Sequence, residues 1–464
     1  MNITKTSSHK STRMVQMTIP LDILLDEANA GKKEGSIFRD PAFASNKVTP
    51  IHRWVPWIAG FSSQFVRNAI TQYLPSSGGT VLDPFSGVGT TLVDAVLAGH
   101  NAIGFEINPY PALASRVKAN AFKVSRPSLE KEYFHFEKFY SAKTSNGYSP
   151  VSQPPEGFKT RAPFYSPKVL RKVLIVQDYL AKIDDPLMRD VFRLAFASTM
   201  VTYSNYSYEP SLGRRVSAGK DDIEDFAVGE KIASKLMDIM EDLSWLKQNL
   251  KSKPEFAKVV KDSFFNCQKY LKRGSVDLAI TSPPYLNNYH YNRNTRPQLY
   301  WLGFVTDPSG MQPLEEANFG KYWQTVRERD QVDLEFDLPH SDLVRTLQQI
   351  RRLNPDKGIY GGHGWANYAV SYFNDCHKLA HGLKYVLKKG GTALVVVGNS
   401  ILQGVHVATD RYLGEIAESA GLELVKIHIP RATRIGNSII QSGLRLPNEK
   451  TSHQLYEAVV ELRR

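Results

Sequence analysis

The sequence predicts an α/β fold built on one seven-stranded, mostly parallel sheet, and three observations lead there. Short apolar runs alternate with helix-period segments over 51–120 and again over 256–464, the pattern of strands joined by crossover helices. Two of those runs end in abrupt turns: Val81-Leu82-Asp83 in Pro84-Phe85-Ser86-Gly87-Val88-Gly89-Thr90-Thr91, and 275–280 in Thr281-Ser282-Pro283-Pro284-Tyr285. Ligands of such sheets gather beyond the carboxyl ends of the strands, and both turns fall there. Third, the alternation pauses over 121–255. That stretch is mostly helical in pattern and too long for a loop, so it reads as an insertion.

Taken in order, residues 1–50 form a basic tail and lead-in. Lys5, Lys10 and Arg13 stand among serines and threonines, and a short amphipathic helix is predicted over 19–30. The segment 50–62, carrying Trp54, Trp57 and Phe61, leads into a helix over 63–73. After the glycine loop come a helix over 92–97, a strand over 101–105 closed by Glu106, and a helix over 111–120. Within 121–255, helices are predicted over 166–181, 186–203 and 228–250. Between the last two lies Tyr203-Ser204-Asn205-Tyr206-Ser207-Tyr208, followed by Arg214, Arg215 and Lys220. Aromatics interleaved with hydroxyls and cations suit phosphates and splayed bases; a plain polar loop is the rival reading.

The sheet resumes with a strand over 256–261, ending at Asp262, and continues with the strand over 275–280. Residues 286–375 read as a second, loop-rich insertion. It opens on Leu286-Asn287-Asn288-Tyr289-His290-Tyr291-Asn292-Arg293 and holds a predicted helix over 341–352 and a glycine loop over 361–365. A helix over 372–387, a turn at Lys388-Lys389-Gly390-Gly391 and a strand over 392–397 follow. A helix over 410–420, a strand over 422–428 and an antiparallel final strand over 456–462 complete the seven.

A chain of 464 residues with 42% hydrophobic content can bury a full core. No apolar run approaches the roughly eighteen residues of a membrane span, and the polar, basic start carries no secretory signal. The two cysteines, Cys267 and Cys376, lie far apart and lack zinc-ligand spacing. A reduced cytoplasmic protein without a metal centre is expected. Net charge of +12 and a pI near 9.3 point to a polyanionic partner, because neutralising phosphates releases counterions.

The two turns carry the chemistry. Gly87 and Gly89 let the backbone approach a ligand at a helix start, and Glu106 is placed to take both hydroxyls of a ribose. Neither the dinucleotide fingerprint nor a Gly-Lys-Ser/Thr phosphate loop is present. The loop therefore suits an adenosine ligand without a pyrophosphate, which points to S-adenosylmethionine. In Ser282-Pro283-Pro284-Tyr285, the prolines stop the strand, remove two N–H donors and leave carbonyls outward. A small hydroxyl, rigid carbonyls and an aromatic ring can grip a flat, amino-bearing heterocycle; an ordinary turn is the alternative.

Jointly, Asp83-Pro84-Phe85-Ser86-Gly87-Val88-Gly89 and Ser282-Pro283-Pro284-Tyr285 resemble the amino-methyltransferases of DNA, which methylate cytosine N4 or adenine N6. The serine form of the second motif resembles the cytosine-N4 branch. The resemblance implies a Rossmann-like methyltransferase domain over 51–120 and 256–464, with 121–255 a candidate DNA-recognition region. It implies an S-adenosylmethionine site at Asp83, Pro84, Phe85, Ser86, Gly87, Gly89, Thr90, Thr91, Glu106 and Asp262. Asp83 would face the methionine ammonium and Asp262 the adenine amino group, while Trp57, Phe61 and Ser62 match the segment that closes over the methionine end. Ser282, Pro283, Pro284 and Tyr285 would be catalytic. Double-stranded DNA is the implied partner, contacted by Tyr289, Arg293, Arg214 and Arg215, with a cognate restriction endonuclease as a further candidate. Many cytosine-N4 enzymes place the catalytic turn first, whereas here the cofactor loop precedes it. That departure leaves open which insertion reads sequence.

Three rival readings remain: adenine-N6 methylation, an RNA or tRNA amino-methyltransferase, and an idle DNA-binding protein that keeps the fold. Cytosine-C5 chemistry is set aside, because neither Cys267 nor Cys376 follows a proline in the context of an activated thiolate.

Overall fold

Seven strands, numbered along the chain, form the central sheet of the computed structural model: β1 Thr80–Asp83, β2 Asn101–Phe105, β3 Ala257–Val260, β4 Val276–Thr281, β5 Leu387–Gly398, β6 Glu423–Ala432 and β7 Tyr456–Arg463. The structure describes residues 43–57, 60–208, 211–286, 291–432 and 455–464. The basic tail, the helix predicted over 19–30 and Tyr289 lie outside the described residues. Spatial order is β6-β7-β5-β4-β1-β2-β3. Neighbours from β5 through β3 are parallel, and β7 runs antiparallel to both β5 and β6. The mixed sheet and its antiparallel last strand agree with the sequence reading.

Strand alternation decides which face each residue covers. Val81, Leu278, Ile280, Leu394 and Val396 point to one side and meet Phe65, Val66, Ile70, Leu92 and Val96 of the helices Ser63–Tyr73 and Thr90–Leu97. Leu82, Ala279, Ala393, Val395 and Val397 point to the other, under the helices Gly362–Val386 and Thr409–Ser419. Both faces are apolar because both are covered, as parallel sheets require. No helix among the described residues is long and apolar enough to cross a membrane.

The helices between β2 and β3 span Arg126–Ser145, Pro167–Leu180, Pro186–Thr199 and Val228–Asn249. Their starts are written in the sequence: Ser125, Ser166 and Asp185 each cap backbone N–H groups, with proline in the first turn. These helices share one core with Tyr110, Leu113 and Val117 of the helix Pro109–Ala119 and with Leu299, Trp301 and Val305 of the second insertion. The insertion is thus packed into the domain.

Four local expectations change. The helix Arg126–Ser145 was not anticipated, although Leu129, Tyr133 and Phe136 form its buried stripe at helical spacing. The polar stretch after Thr199 contains a hairpin, Tyr206–Tyr208 paired with Leu212–Arg214, where only a loop was read. The glycines at 361–365, expected to form a loop, start the helix Gly362–Val386. A Cβ on Gly362 would sit 1.9 Å from the Ile350 carbonyl oxygen, and one on Gly364 2.2 Å from that of Ile359. Close packing, not a turn, requires those glycines. Lys388-Lys389-Gly390-Gly391, expected as a turn, lies inside β5, where pairing with β4 jumps from Val276–Leu387 to Leu278–Thr392. That register shift is a bulge, and Gly390 absorbs it at φ +75°.

Candidate active site

β1 and β4 are neighbours, with Leu82 opposite Ala279, so the glycine loop and the Ser-Pro-Pro-Tyr turn leave the sheet side by side. Thr281, the last residue of β4, donates through Oγ1 to Asp83 Oδ1 at 2.6 Å, and the Phe85 N–H reaches the same oxygen at 3.0 Å. Burial pushes the Asp83 carboxyl up to about 6, against the pull of these donors.

The glycine loop is held from both sides. Gly87 has φ +47° and Gly89 φ +84°. A Cβ on Gly89 would lie 2.7 Å from Ser115 Oγ and 2.9 Å from Ser115 Cα, so glycine there lets the helix Pro109–Ala119 pack beneath the loop. At Gly87 the nearest neighbour of such a Cβ is Trp57 Nε1, at 3.8 Å; that side is open to a ligand. Lys118, buried, donates from Nζ to the Val88 carbonyl at 2.8 Å, and burial pushes its pKa down to about 7. Asp94, on the helix after the loop, accepts from Ser63 Oγ at 2.9 Å and Arg67 Nε at 3.0 Å, tying the lead-in segment to it.

Glu106 follows β2 and folds back over the loop. Its Oε2 accepts from the Gly87 N–H at 3.0 Å and its Oε1 from the Asn108 N–H at 2.8 Å. Burial pushes its carboxyl up to about 7; the two N–H donors act in the opposite direction. Asp262, at the end of β3, accepts from the Ser263 N–H (2.7 Å), Asn266 Nδ2 (3.0 Å) and the Tyr270 hydroxyl (2.8 Å). Burial raises its carboxyl, but these donors outweigh it and leave the pKa below the usual carboxylate range.

One cleft of about 1020 Å³, counting its open mouth, joins these groups. Of the residues expected from sequence, Trp57, Phe61, Asp83, Pro84, Phe85, Ser86, Gly87, Thr90, Glu106, Asp262, Ser282 and Pro284 line it. Gly89, Thr91, Pro283 and Tyr285 do not. Gly89 and Thr91 sit beneath the loop, where Thr91 Oγ1 donates to the Ile280 carbonyl at 3.3 Å. The Tyr285 hydroxyl donates to Glu457 Oε1 at 3.0 Å, and its ring lies against Gly398, where a Cβ would come within 3.1 Å of Cδ2.

The candidate DNA residues stand apart from the cleft. Arg293 is exposed next to Asn292. Arg215 Nε donates to the Asp221 carbonyl at 2.8 Å, and Arg214 pairs with Asp222 at 3.5 Å. Their hairpin is fastened to the segment after the catalytic turn: the Tyr208 hydroxyl donates to the Asn294 carbonyl, and the Leu212 N–H to Asn294 Oδ1, both at 2.8 Å. The two insertions therefore meet beside the cleft.

Sequence reasoning missed Asn108, Ser263, Phe265, Tyr291, Asn292 and Phe319, all of which line the cleft. Asn108 was findable, since Asn-Pro before a helix is a cap. Phe319, set edge-on to Phe85 with centroids 5.1 Å apart, comes from the second insertion and has no local signal. Burial pushes the Cys267 thiol up to about 11 and raises that of Cys376, so neither is an activated nucleophile.

Chemically, the cleft offers carboxyls at three stations, aromatic walls and a hydroxyl turn. It fits a ligand with donor groups spread along its length and a flat ring. The model of a family described as DNA methylase matches residues 5–115. Over 87% of its length the chain is 25% identical to the Type II methyltransferase M.BsoBI of Geobacillus stearothermophilus, covering 84% of that protein. It is 23% identical to the Type II methyltransferase M.AvaI of Nostoc sp., over 87% of the chain and 85% of the relative. A third relative, the Type II methyltransferase M.MvaI of Kocuria varians, is 22% identical over 79% of the chain and 80% of its own length. With a seven-stranded sheet that presents the cleft at its carboxyl edge, the chain is similar to these DNA methylases and Type II methyltransferases.

Proposed function

We propose that this protein is a DNA methyltransferase that moves a methyl group from S-adenosylmethionine to the exocyclic N4 of cytosine in duplex DNA, as the modification enzyme of a restriction-modification system. The observation that carries the reading is that Ser282 and Pro284 line the same cleft as Asp83, Gly87 and Glu106. Donor and acceptor can therefore meet in one chamber.

The residues fit the cofactor on their own chemistry. Ser86 Oγ is buried and without a partner among the described residues, available to a ligand. Glu106 takes the ribose hydroxyls, Asp83 the methionine ammonium and Asp262 the adenine amino group, with Trp57 and Phe61 walling the methionine end. When bound, S-adenosylmethionine supplies a sulfonium methyl already activated for displacement.

The chain's task is to orient the acceptor. An exocyclic amine conjugated to its ring is a poor nucleophile, because its lone pair is delocalised. Its two N–H groups donate to Ser282 Oγ and the Pro283 carbonyl, which draws the nitrogen toward tetrahedral geometry and turns the lone pair to the methyl. As the N–C bond forms, the methyl–sulfur bond would break to leave a neutral thioether, and the nitrogen's surplus proton would pass to solvent at the open mouth of the cleft. No covalent enzyme intermediate is required, and positioning with electrostatics supplies the rate. The base reaches the site by flipping out of the stack, at a cost of a few kcal/mol. Tyr285, held by Glu457 and Gly398 outside the cleft lining, fixes the turn that carries Ser282 and Pro284. Serine in place of an anionic carboxylate favours cytosine N4 over adenine N6. Arg293, Arg214 and Arg215 contact the DNA, at the junction of the two insertions.

Transfer of a labelled methyl group to duplex DNA and to tRNA, assayed in parallel, tests this. Label in DNA alone is the expected result. Label confined to tRNA would replace the substrate, and label in neither would remove the enzyme assignment.

A further inference from the structure

The hydrogen-bond directions around Asn108 fix the orientation of a second asparagine. Asn108 Oδ1 accepts from the Tyr110 N–H at 3.1 Å, capping the helix Pro109–Ala119, so its Nδ2 is the donor end. That nitrogen lies 3.1 Å from Asn292 Oδ1 and 2.8 Å from Thr295 Oγ1. A donor at this position obliges Asn292 to present its carbonyl oxygen. The amide nitrogen of Asn292 is then left with two protons and no acceptor among the described residues. The residue is 1% exposed, and it lines the cleft with Glu106 and Ser86. A buried amide without an acceptor is costly, so its retention points to a ligand that accepts from it.

We propose that Asn292 Nδ2 donates to a ribose hydroxyl oxygen of the bound cofactor. The inference rests on the S-adenosylmethionine reading above. Its location follows from connectivity: Asn292 holds Asn108, and the Asn108 N–H donates to Glu106 Oε1 at 2.8 Å. A ribose hydroxyl donates to a carboxylate while its oxygen accepts, so Glu106 and Asn292 are complementary readers of the same group. Asn292 is a cofactor-binding residue contributed by the segment after the catalytic turn, whereas Glu106 comes from the end of β2.

Asn292→Asp separates this role from a structural one. Aspartate keeps the oxygen that receives Asn108 and replaces the donor with an acceptor. Calorimetry at pH 8 with adenosine and with S-adenosylmethionine should show both binding roughly tenfold or more weakly to N292D than to wild type. Of 2′- and 3′-deoxyadenosine, the one lacking the contacted hydroxyl should bind the two proteins alike. Unchanged adenosine affinity in N292D would overturn the proposal, as would normal cofactor affinity with lost methyl transfer, which would assign the donor to the target base. If N292D does not fold, Asn292→Ala must show the same selective loss for the proposal to stand. Wild-type protein that binds neither adenosine nor S-adenosylmethionine would instead refute the cofactor reading itself.

Discussion

Burial pushes the Glu106 carboxyl up to about 7, so with Glu106 at the ribose the proposed cofactor binding should depend on pH in a calculable way. An acid with that midpoint is about one-eleventh ionised at pH 6 and about ten-elevenths ionised at pH 8. Ribose hydroxyls donate best to the anion, so affinity should rise about tenfold between those pH values. Asp83, pushed to about 6, changes in the same direction but by only about twofold over the interval. Adenosine is the probe of choice, because it reaches the ribose station and has no group of its own that titrates between pH 6 and 8. Calorimetry at pH 6, 7 and 8 should give a rising association constant. Glu106→Gln should flatten the profile and lower affinity at pH 8 by roughly 1–3 kcal/mol, since one of two N–H donors then faces an amide NH₂. The linkage to stability has the opposite sign. A carboxyl whose pKa is raised on folding contributes stability that is full below the unfolded carboxyl range and is lost as pH climbs through about 7. The cofactor-free wild type should therefore lose more melting temperature from pH 6 to 8 than Glu106→Gln. Adenosine affinity that is flat or falling with pH in the wild type would refute the placement of Glu106 at the ribose.

Further outcomes follow from the same geometry. Gly89→Ala would strain an αL position and press on Ser115, costing roughly 1–3 kcal/mol in denaturant titrations. Gly87→Ala would pay only the αL cost of roughly 1–2 kcal/mol, yet lose cofactor affinity in calorimetry. Ser282→Ala should lower turnover on the order of a hundredfold while leaving S-adenosylmethionine binding near wild type. Arg293→Gln should weaken DNA binding across sequences and reduce the slope of log affinity against log salt by about 1, read by fluorescence anisotropy.

What could be read from the chain was what its residues declare locally. All seven strands, the two turns and the helix Ser63–Tyr73 announce themselves by alternation, capping or proline. The helix Arg126–Ser145 was equally declared, by Ser125 and Pro127, but its charged and aromatic faces obscured the stripe. Other features depend on partners distant in sequence. Gly362 and Gly364 look like loop residues until the carbonyls of Ile350 and Ile359 close on them. Tyr285 looks free to stack until Glu457 and Gly398 fix it. Asn292 became visible only when Asn108 was seen to cap a helix.

The assignment of reaction and base is tested most directly by mass spectrometry of nucleosides from duplex DNA methylated by the purified protein. The proposed role of Ser282 predicts N4-methylcytosine, produced by wild type and largely absent with Ser282→Ala. N6-methyladenine without N4-methylcytosine would contradict the base assignment and leave the fold intact, and unmodified DNA would contradict the activity.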